Sequence, residues 1–213
     1  MDGAKRNLQS EIPAFDFMRL VQQQINTWDS VLSKIEVTGG THDEQVIFYT
    51  ALYHSFLNPN TYQDVDGAYL GRDFKIHKSA TPYFSVFSLW DTYRATHPLL
   101  ALIDRKNTYA FVHTFLTQYQ QGGLLPIWEL AANETYCMIG NHSIPVIADA
   151  LLKGIPMDTA QVLKAMIQAV NRKQFGIDLY AQQKGLFADQ ESESVSKTLE
   201  YAFDDACIAC VAK

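Results

Sequence analysis

The chain has 213 residues, of which 47% are apolar and 19% are charged. This apolar content excludes a disordered chain and is sufficient for one compact domain. The formal net charge is -6, and no block of basic residues provides the attraction that nucleic acids require. We therefore expect no nucleic-acid partner. We also expect no membrane partner, because no stretch approaches the 18 consecutive apolar residues that indicate a transmembrane helix.

Helical periodicity dominates the chain, because apolar residues recur in steps of three and four along most of it. Thr41 followed by Glu44 forms a capping box, and Asp158 followed by Gln161 is a second N-cap signal. Residues 1–12 are expected to be flexible. The predicted helices cover about 18–35, 42–56, 88–103, 107–121, 143–153, 159–170, 177–184 and 194–211.

The segment near residues 60–85 predicts a small irregular β-hairpin excursion between helices. Asp66-Gly67 is a turn signal between residues 61–63 and 69–70. Helical hairpins with long loops between the pairs favour part of a helical toroid over a four-helix bundle. We therefore predict an all-α fold of helical hairpins. The last helix reaches Lys213 without a stop signal, so residues 1–213 are predicted to be a single partial domain.

The loop predicted between residues 125 and 142 holds the strongest candidates for chemistry. Glu134 lies among large apolar residues, where desolvation can favour the protonated form of a carboxyl group near neutral pH. It is therefore a candidate general acid. The alternative is a carboxylate that accepts hydrogen bonds from local backbone N–H groups, and Glu129 has the same two interpretations.

A second cluster places an aromatic residue beside charged ones at a predicted helix start. Trp90 offers a flat apolar face of the kind on which sugars stack, and the helix dipole favours Asp91 at this position. The alternative is a capping aspartate beside a core tryptophan. Arg94 is interpreted as a salt-bridge partner.

The residue pattern assigns no metal ligands. Asp64 begins a sequence like that of a calcium loop, but an EF-hand needs a bidentate Glu at position 12, where this chain has Lys75. Asp204 and Asp205 on the last predicted helix are interpreted as an exposed pair. The alternative is that one of the two points into a cavity.

Six motifs follow one another in order over nearly the whole chain from about residue 15. They are FYTALYH (48–54), YQDVDG (62–67), FSLWDTYR (87–94), WEL with NET (128–135), CMIG (137–140) and ESVSKTLEYA (193–202). Together they resemble the exo-acting alpha-mannosidases of glycoside hydrolase family 92.

The resemblance implies a fold and an activity. By it, this chain is the N-terminal portion of an (alpha/alpha)6 catalytic barrel from a larger secreted or periplasmic enzyme. The first residues, MDGAKRNLQSEIP, lack the apolar run of a signal peptide, so none is expected in this chain. The enzyme is expected to remove terminal mannose from mannose-containing glycans with inversion, to cut alpha-1,2-type linkages and to need calcium. The resemblance does not assign the calcium ligands.

The resemblance also implies roles for single residues. Glu134 corresponds to the general acid, whereas the aspartate that acts as general base has no counterpart in this chain. Ala188-Asp189 stand where some members that cut alpha-1,2 links place a His-Glu pair. The residues expected to bind substrate are Trp90, Asp91, Trp128, Glu129, Asn133, Cys137 and Asp189.

Two functional hypotheses follow from these observations. The first is that this chain is the substrate-binding and acid-bearing part of an alpha-mannosidase, and is inactive alone. The second is a non-catalytic helical module that binds glycan or packs against a protein partner. An incomplete barrel should expose a broad apolar face, so self-association through that face is also expected.

Overall fold

The computed structural model describes residues 2–213, most of which are helical. The helices lie close to their predicted positions, with two differences. Residues 2–11, which were expected to be flexible, form a helix, and the helix predicted over 88–103 is divided in two. The helices are α1 (Asp2–Glu11), α2 (Phe17–Leu32), α3 (His42–Ser55), α4 (Leu89–Thr92), α5 (Thr96–Ile103), α6 (Arg105–Gly122), α7 (Ser143–Leu152), α8 (Thr159–Ala169), α9 (Ile177–Gln183) and α10 (Ser194–Val211).

Local side-chain chemistry explains where several helices begin. The Thr41 hydroxyl accepts the Glu44 N–H at 3.3 Å, and the Glu44 carboxylate accepts the Thr41 N–H at 2.7 Å, so the predicted capping box is confirmed. Asp158 likewise caps α8. The division between α4 and α5 follows from Pro98, which has no N–H to bond the carbonyl of Arg94 in a continuous helix.

The segment near residues 60–85 contains two small antiparallel sheets. β1 (Asn60–Thr61) pairs with β4 (Phe84–Ser85), and β2 (Ala68–Leu70) pairs with β3 (Ile76–Lys78). The excursion is therefore confirmed, but its hairpin differs from the prediction. The strand at 68–70 pairs with the strand that follows it, and not with residues 61–63.

The turn at Asp64–Gly67 is closed locally and requires its glycine. The Gly67 N–H donates to the Asp64 carbonyl at 2.8 Å, and Gly67 has a φ of +80°. A Cβ atom on this residue would lie 2.5 Å from the carbonyl oxygen of Ser79. Helix α1 is attached to the same turn, because Asn7 donates to the Asp64 carboxylate at 2.8 Å and accepts the Val65 N–H at 3.1 Å.

A third antiparallel sheet lies where the sequence predicted only a loop. β6 (Trp128–Leu130) stands between β5 (Phe87–Ser88) and β7 (Asn133–Glu134). The loop prediction for residues 125–142 is thus wrong over two strands. These strands are only two or three residues long, so they are too short to show the period-two alternation from which strands are predicted.

The main hydrophobic core lies among α5, α6, α7, α8 and α10 and extends to β4 and β5. The Phe87 ring on β5 meets the rings of Phe111 and Phe115 on α6 edge-on, at centroid distances of 6.0 and 4.7 Å. Because Phe87 and Phe115 are buried, this packing fixes β5 on the helical layer. The sheet β5–β6–β7 is thereby attached to the core.

Large apolar side chains remain exposed on α2, α3 and α10. Two of the most exposed are Phe17 (73%) and Ile47 (68%). Self-association through this exposed surface stays a prediction. Among residues 2–213, no helix combines the length and the apolar character that crossing a membrane requires.

Candidate active site

The β5–β6–β7 sheet brings together residues that stand far apart in the sequence. Ser88, just before Trp90 and Asp91, is paired with Trp128 on β6. Glu129 on β6 is paired with Glu134 on β7. Both glutamates therefore lie side by side on the same sheet, next to the start of α4.

The Glu134 carboxylate is held by backbone N–H groups. Its Oε1 atom accepts the N–H of Trp128 at 2.8 Å and that of Tyr136 at 3.1 Å, and its Oε2 atom accepts the N–H of Ile127 at 2.7 Å. Glu134 is half-buried. This arrangement corresponds to the alternative in the sequence analysis, a carboxylate that bonds local backbone groups. Three donors fix the orientation of the carboxyl group.

Glu129, and not Glu134, is the carboxyl group that is removed from water. Its side chain is completely buried. Oε1 accepts the Ala132 N–H at 2.6 Å and the Ser85 hydroxyl at 3.2 Å, and Oε2 accepts the Val86 N–H at 3.1 Å. Burial raises the pKa of Glu129 to about 7, although these donors oppose the shift. In this position Glu129 has no exposed surface with which to contact a substrate. Its contact with substrate stays a prediction.

The raised pKa of Glu129 predicts a pH-dependent stability. The folded chain binds a proton at Glu129 more tightly than the unfolded chain, whose pKa is near 4.5. The free energy of unfolding should therefore fall by about 3 kcal/mol from this group as the pH rises from about 4.5 to about 7. Glu129→Gln cannot titrate, so denaturant unfolding at a series of pH values should show a flatter curve for this variant. Parallel curves for the two proteins would contradict the prediction.

A groove of about 410 Å³ contains two of the predicted substrate-binding residues. Asp91 and Trp128 line it together with the segment at Asn58-Pro59. Asp91 is exposed and accepts a hydrogen bond from the Ser88 hydroxyl. Trp90 lies beside it, with the guanidinium group of Arg94 5.1 Å from the centroid of its ring. One face of the indole is therefore covered by a cation.

A second cavity, of about 260 Å³, lies against Ile127 and the segment at 136–140 that follows Glu134. Its lining includes Cys137, Tyr136 and Arg172. Cys137 is exposed, as its predicted contact with substrate requires. The structure therefore places Asp91 and Trp128 at one cavity and Cys137 at the other.

Two other predicted substrate-binding residues lie at the surface. Asn133 on β7 is exposed and donates to the Ala131 carbonyl at 2.9 Å, so its side chain is used to close the hairpin. Asp189 is exposed in the turn between α9 and α10. The β5–β6–β7 sheet does not bring Asp189 beside the other candidates.

Sequence reasoning missed a buried polar cluster around His142. The His142 Nε2 atom lies 3.1 Å from the Glu200 carboxylate, and its Nδ1 atom lies 3.6 Å from the Asp204 carboxylate. Tyr93 stacks on the imidazole at 4.1 Å, and the Asn141 N–H donates to Asp204 at 2.8 Å. Burial raises the pKa of Asp204.

The expectation that Asp204 and Asp205 form an exposed pair is wrong for the first of them. Asp204 is completely buried, while Asp205 is exposed. The expected salt bridge of Arg94 is confirmed, because its guanidinium group lies 3.2 Å from the Glu200 carboxylate.

The carboxylates of residues 2–213 form no cluster that could hold calcium. No group of three His, Cys, Asp or Glu side chains in this range is arranged to hold a metal ion. In the calcium-like turn, Asp64 is bonded by Asn7, and Asp66 pairs with Lys78 at 2.9 Å and with Arg6 at 3.3 Å. Calcium needs six to eight oxygen ligands, whereas these carboxylates already face donors and cations.

Comparison with known proteins shows close relatives in sequence and structure. A profile of the glycosyl hydrolase family 92 catalytic domain matches residues 3–213. The structure of a family GH92 alpha-mannosidase from Bacteroides thetaiotaomicron is 37% identical, with a TM-score of 0.94 over 100% of this chain and 29% of its own. The same mannosidase is also known in complex with mannoimidazole.

Two further relatives extend the comparison. A family GH92 inverting mannosidase from Bacteroides thetaiotaomicron VPI-5482 is 27% identical, with a TM-score of 0.92 over 99% of this chain and 30% of its own. An uncharacterized secreted glycosidase from Arthroderma benhamiae is 23% identical over 100% of this chain and 26% of its own. The chain thus spans less than a third of the length of these relatives.

These matches decide the fold and the family. The close agreement with the Bacteroides structure confirms the predicted all-α class, with helical hairpins that form part of a helical toroid. The match over residues 3–213 confirms the family that the six motifs indicated. The chain therefore belongs to glycosyl hydrolase family 92.

Proposed function

We propose that this chain is the acid-bearing portion of an exo-acting alpha-mannosidase that hydrolyses terminal mannose with inversion. The single observation that carries the proposal is the position of Glu134, a carboxyl group oriented by three backbone N–H groups whose residues line the two cavities. Two related structures support the substrate class, since both are of mannosidases and one mannosidase binds mannoimidazole. One of them is described as inverting.

Glu134 is proposed as the general acid. Oε2 accepts one backbone N–H, from Ile127, whereas Oε1 accepts two. A carboxylate oxygen has two lone pairs, so Oε2 keeps one that can carry the catalytic proton. In the proposed reaction this proton passes to the glycosidic oxygen as the bond to the leaving group breaks.

The two cavities are proposed to hold the sugars on either side of the scissile bond. The groove at Trp128 and Asp91 and the cavity at Tyr136 and Cys137 both border backbone segments that donate to Glu134. An aromatic face and an exposed carboxylate in the first are suited to a hexose, which presents an apolar patch and hydroxyl donors. We propose mannose-containing glycans as the substrate, with an alpha-1,2-type linkage.

The remaining parts of the proposed machinery lie outside residues 2–213. An inverting glycosidase needs a second carboxylate about 6.5 to 9.5 Å from the acid to activate water. We propose that an aspartate toward the C-terminus of a longer polypeptide supplies it, and that calcium ligands come from the same region. Secretion or periplasmic export of that polypeptide is part of the proposal, as suggested by the secreted relative.

The proposal is tested by comparing this chain with a polypeptide that continues through the rest of the catalytic domain. The longer protein should release mannose from an aryl alpha-mannoside, and proton NMR should detect beta-mannose as the first product. The 213-residue chain alone should release none, because it lacks the general base. Activity of this chain alone, or alpha-mannose as the first product, would contradict the proposal.

A further inference from the structure

The hairpin that carries Glu134 turns through two residues in an unfavourable backbone conformation. Ala131 and Ala132 connect β6 to β7, with φ values of +50° and +65°. Two-residue turns with positive φ at both positions are usually made of Asn-Gly, because a Cβ atom disfavours this region. Tyr136, two residues after Glu134, also has a positive φ, of +51°.

Buried acceptors hold this turn in place. The Ala132 N–H donates to Glu129 Oε1 at 2.6 Å, and the Ala131 N–H donates to the Ser85 hydroxyl oxygen at 2.7 Å. Ser85 in turn donates to the same carboxylate at 3.2 Å. Both backbone N–H groups of the turn thus bond to one buried pair, Ser85 and Glu129. This pair is anchored to the core through β4.

The pair also connects the turn to the neighbouring strands. Glu129 Oε2 accepts the Val86 N–H at 3.1 Å, between β4 and β5. The same carboxyl group therefore joins the segment that leads to Trp90 and the turn that leads to Glu134. Unfavourable backbone conformations persist at functional sites where surrounding contacts stabilise them. The hydrogen bonds from the turn to Ser85 and Glu129 are contacts of this kind.

We infer that Glu129, together with Ser85, is a positioning residue that holds the strained Ala131-Ala132 turn and thereby places Glu134. The consequence for catalysis rests on the proposed role of Glu134, whereas the placement itself does not. In this inference the two glutamates have different tasks. Glu134 is held by backbone N–H groups of residues that line the two cavities, and the buried Glu129 acts on it through the backbone.

The placement is tested by amide hydrogen exchange in the 213-residue chain. The probes are the three N–H groups that donate to Glu134, those of Ile127, Trp128 and Tyr136. Glu129→Gln should raise their exchange rates about tenfold or more, while amides in α6 change little. Replacing Ala131-Ala132 by Asn-Gly in the same background should restore slow exchange, because this turn adopts positive φ without strain.

Two further variants keep the experiment decisive. Ser85→Ala removes the acceptor of the Ala131 N–H and one donor to Glu129 Oε1, so it tests the same turn if Glu129→Gln does not fold. Leu130→Thr, at an exposed position of β6, is the matched control and should leave the three amides unchanged. Unchanged exchange in Glu129→Gln, or in Ser85→Ala where the first variant does not fold, would overturn the inference. So would a failure of Asn-Gly to restore slow exchange.

Activity measurements separate this inference from the proposed function. In the longer polypeptide, Glu129→Gln should lower kcat for a poorly activated alpha-mannoside about tenfold with little change in KM, and Asn-Gly should recover most of the loss. If exchange responds as expected but kcat does not, the placement holds and the role of Glu134 fails. If neither responds, Glu129 does not position Glu134.

Discussion

Replacing Glu134 by Gln in the longer polypeptide is expected to lower kcat on poorly activated alpha-mannosides by a factor of about 10² to 10⁴. The amide cannot give a proton to the leaving oxygen, although it retains the size of the carboxyl group. An aryl mannoside whose leaving group is already a weak base needs no protonation, so it should lose much less rate. Steady-state kinetics on a series of aryl mannosides with different leaving-group pKa values measures this difference.

The control for this experiment is a matched change outside the site. Glu36→Gln replaces an exposed carboxyl group in the segment between α2 and α3, and should leave kcat unchanged. The fold of the Glu134 variant is checked by its circular dichroism, because the new amide would face the N–H of Ile127. An equal loss of rate on good and poor leaving groups would show that Glu134 is not the general acid.

Replacing Asp204 by Ala is expected to lower the free energy of unfolding of the 213-residue chain by about 3 to 5 kcal/mol. Asp204 is completely buried, accepts the Asn141 N–H at 2.8 Å and lies 3.6 Å from His142 Nδ1. Its removal leaves a backbone donor and an imidazole nitrogen without this partner inside the protein. Urea denaturation followed by circular dichroism gives the difference.

The adjacent residue provides a matched control for the Asp204 variant. Asp205 precedes Ala206 on the same helix and is exposed, so Asp205→Ala should cost less than about 1 kcal/mol. If the two variants lose the same stability, the buried contacts of Asp204 with Asn141 and His142 do not stabilise the fold as expected. A loss confined to Asp204→Ala would confirm the assignment of the buried member of the pair.

Local signals were sufficient to predict most helices. The capping box at Thr41 and Glu44 and the N-cap at Asp158 act within one helical turn, so their effect is visible in a short stretch of sequence. The division between α4 and α5 was missed, although Pro98 marked it. The apolar residues on both sides continue the helical period across the break. The prediction followed this period, although Pro98 has no N–H for a continuous helix.

The pairing of the two glutamates was not predictable from local signals. The turn that joins β6 to β7 is Ala131-Ala132 and has none of the usual Asn or Gly. Its conformation depends on Glu129 and on Ser85, and Ser85 comes from a different part of the chain. A turn that is stabilised by tertiary contacts does not show the residue types that an independent turn requires.

By itself, the sequence determined the helical class, most helix boundaries and the family, because capping, periodicity and ordered motifs are properties of short segments. Only the tertiary structure decided which carboxyl groups are removed from water. It buried Glu129 and Asp204 while leaving Asp205 exposed and Glu134 half-buried. The physical reason is that desolvation depends on every element packed around a group, and for Asp204 that includes a backbone N–H donor 63 residues away in the chain.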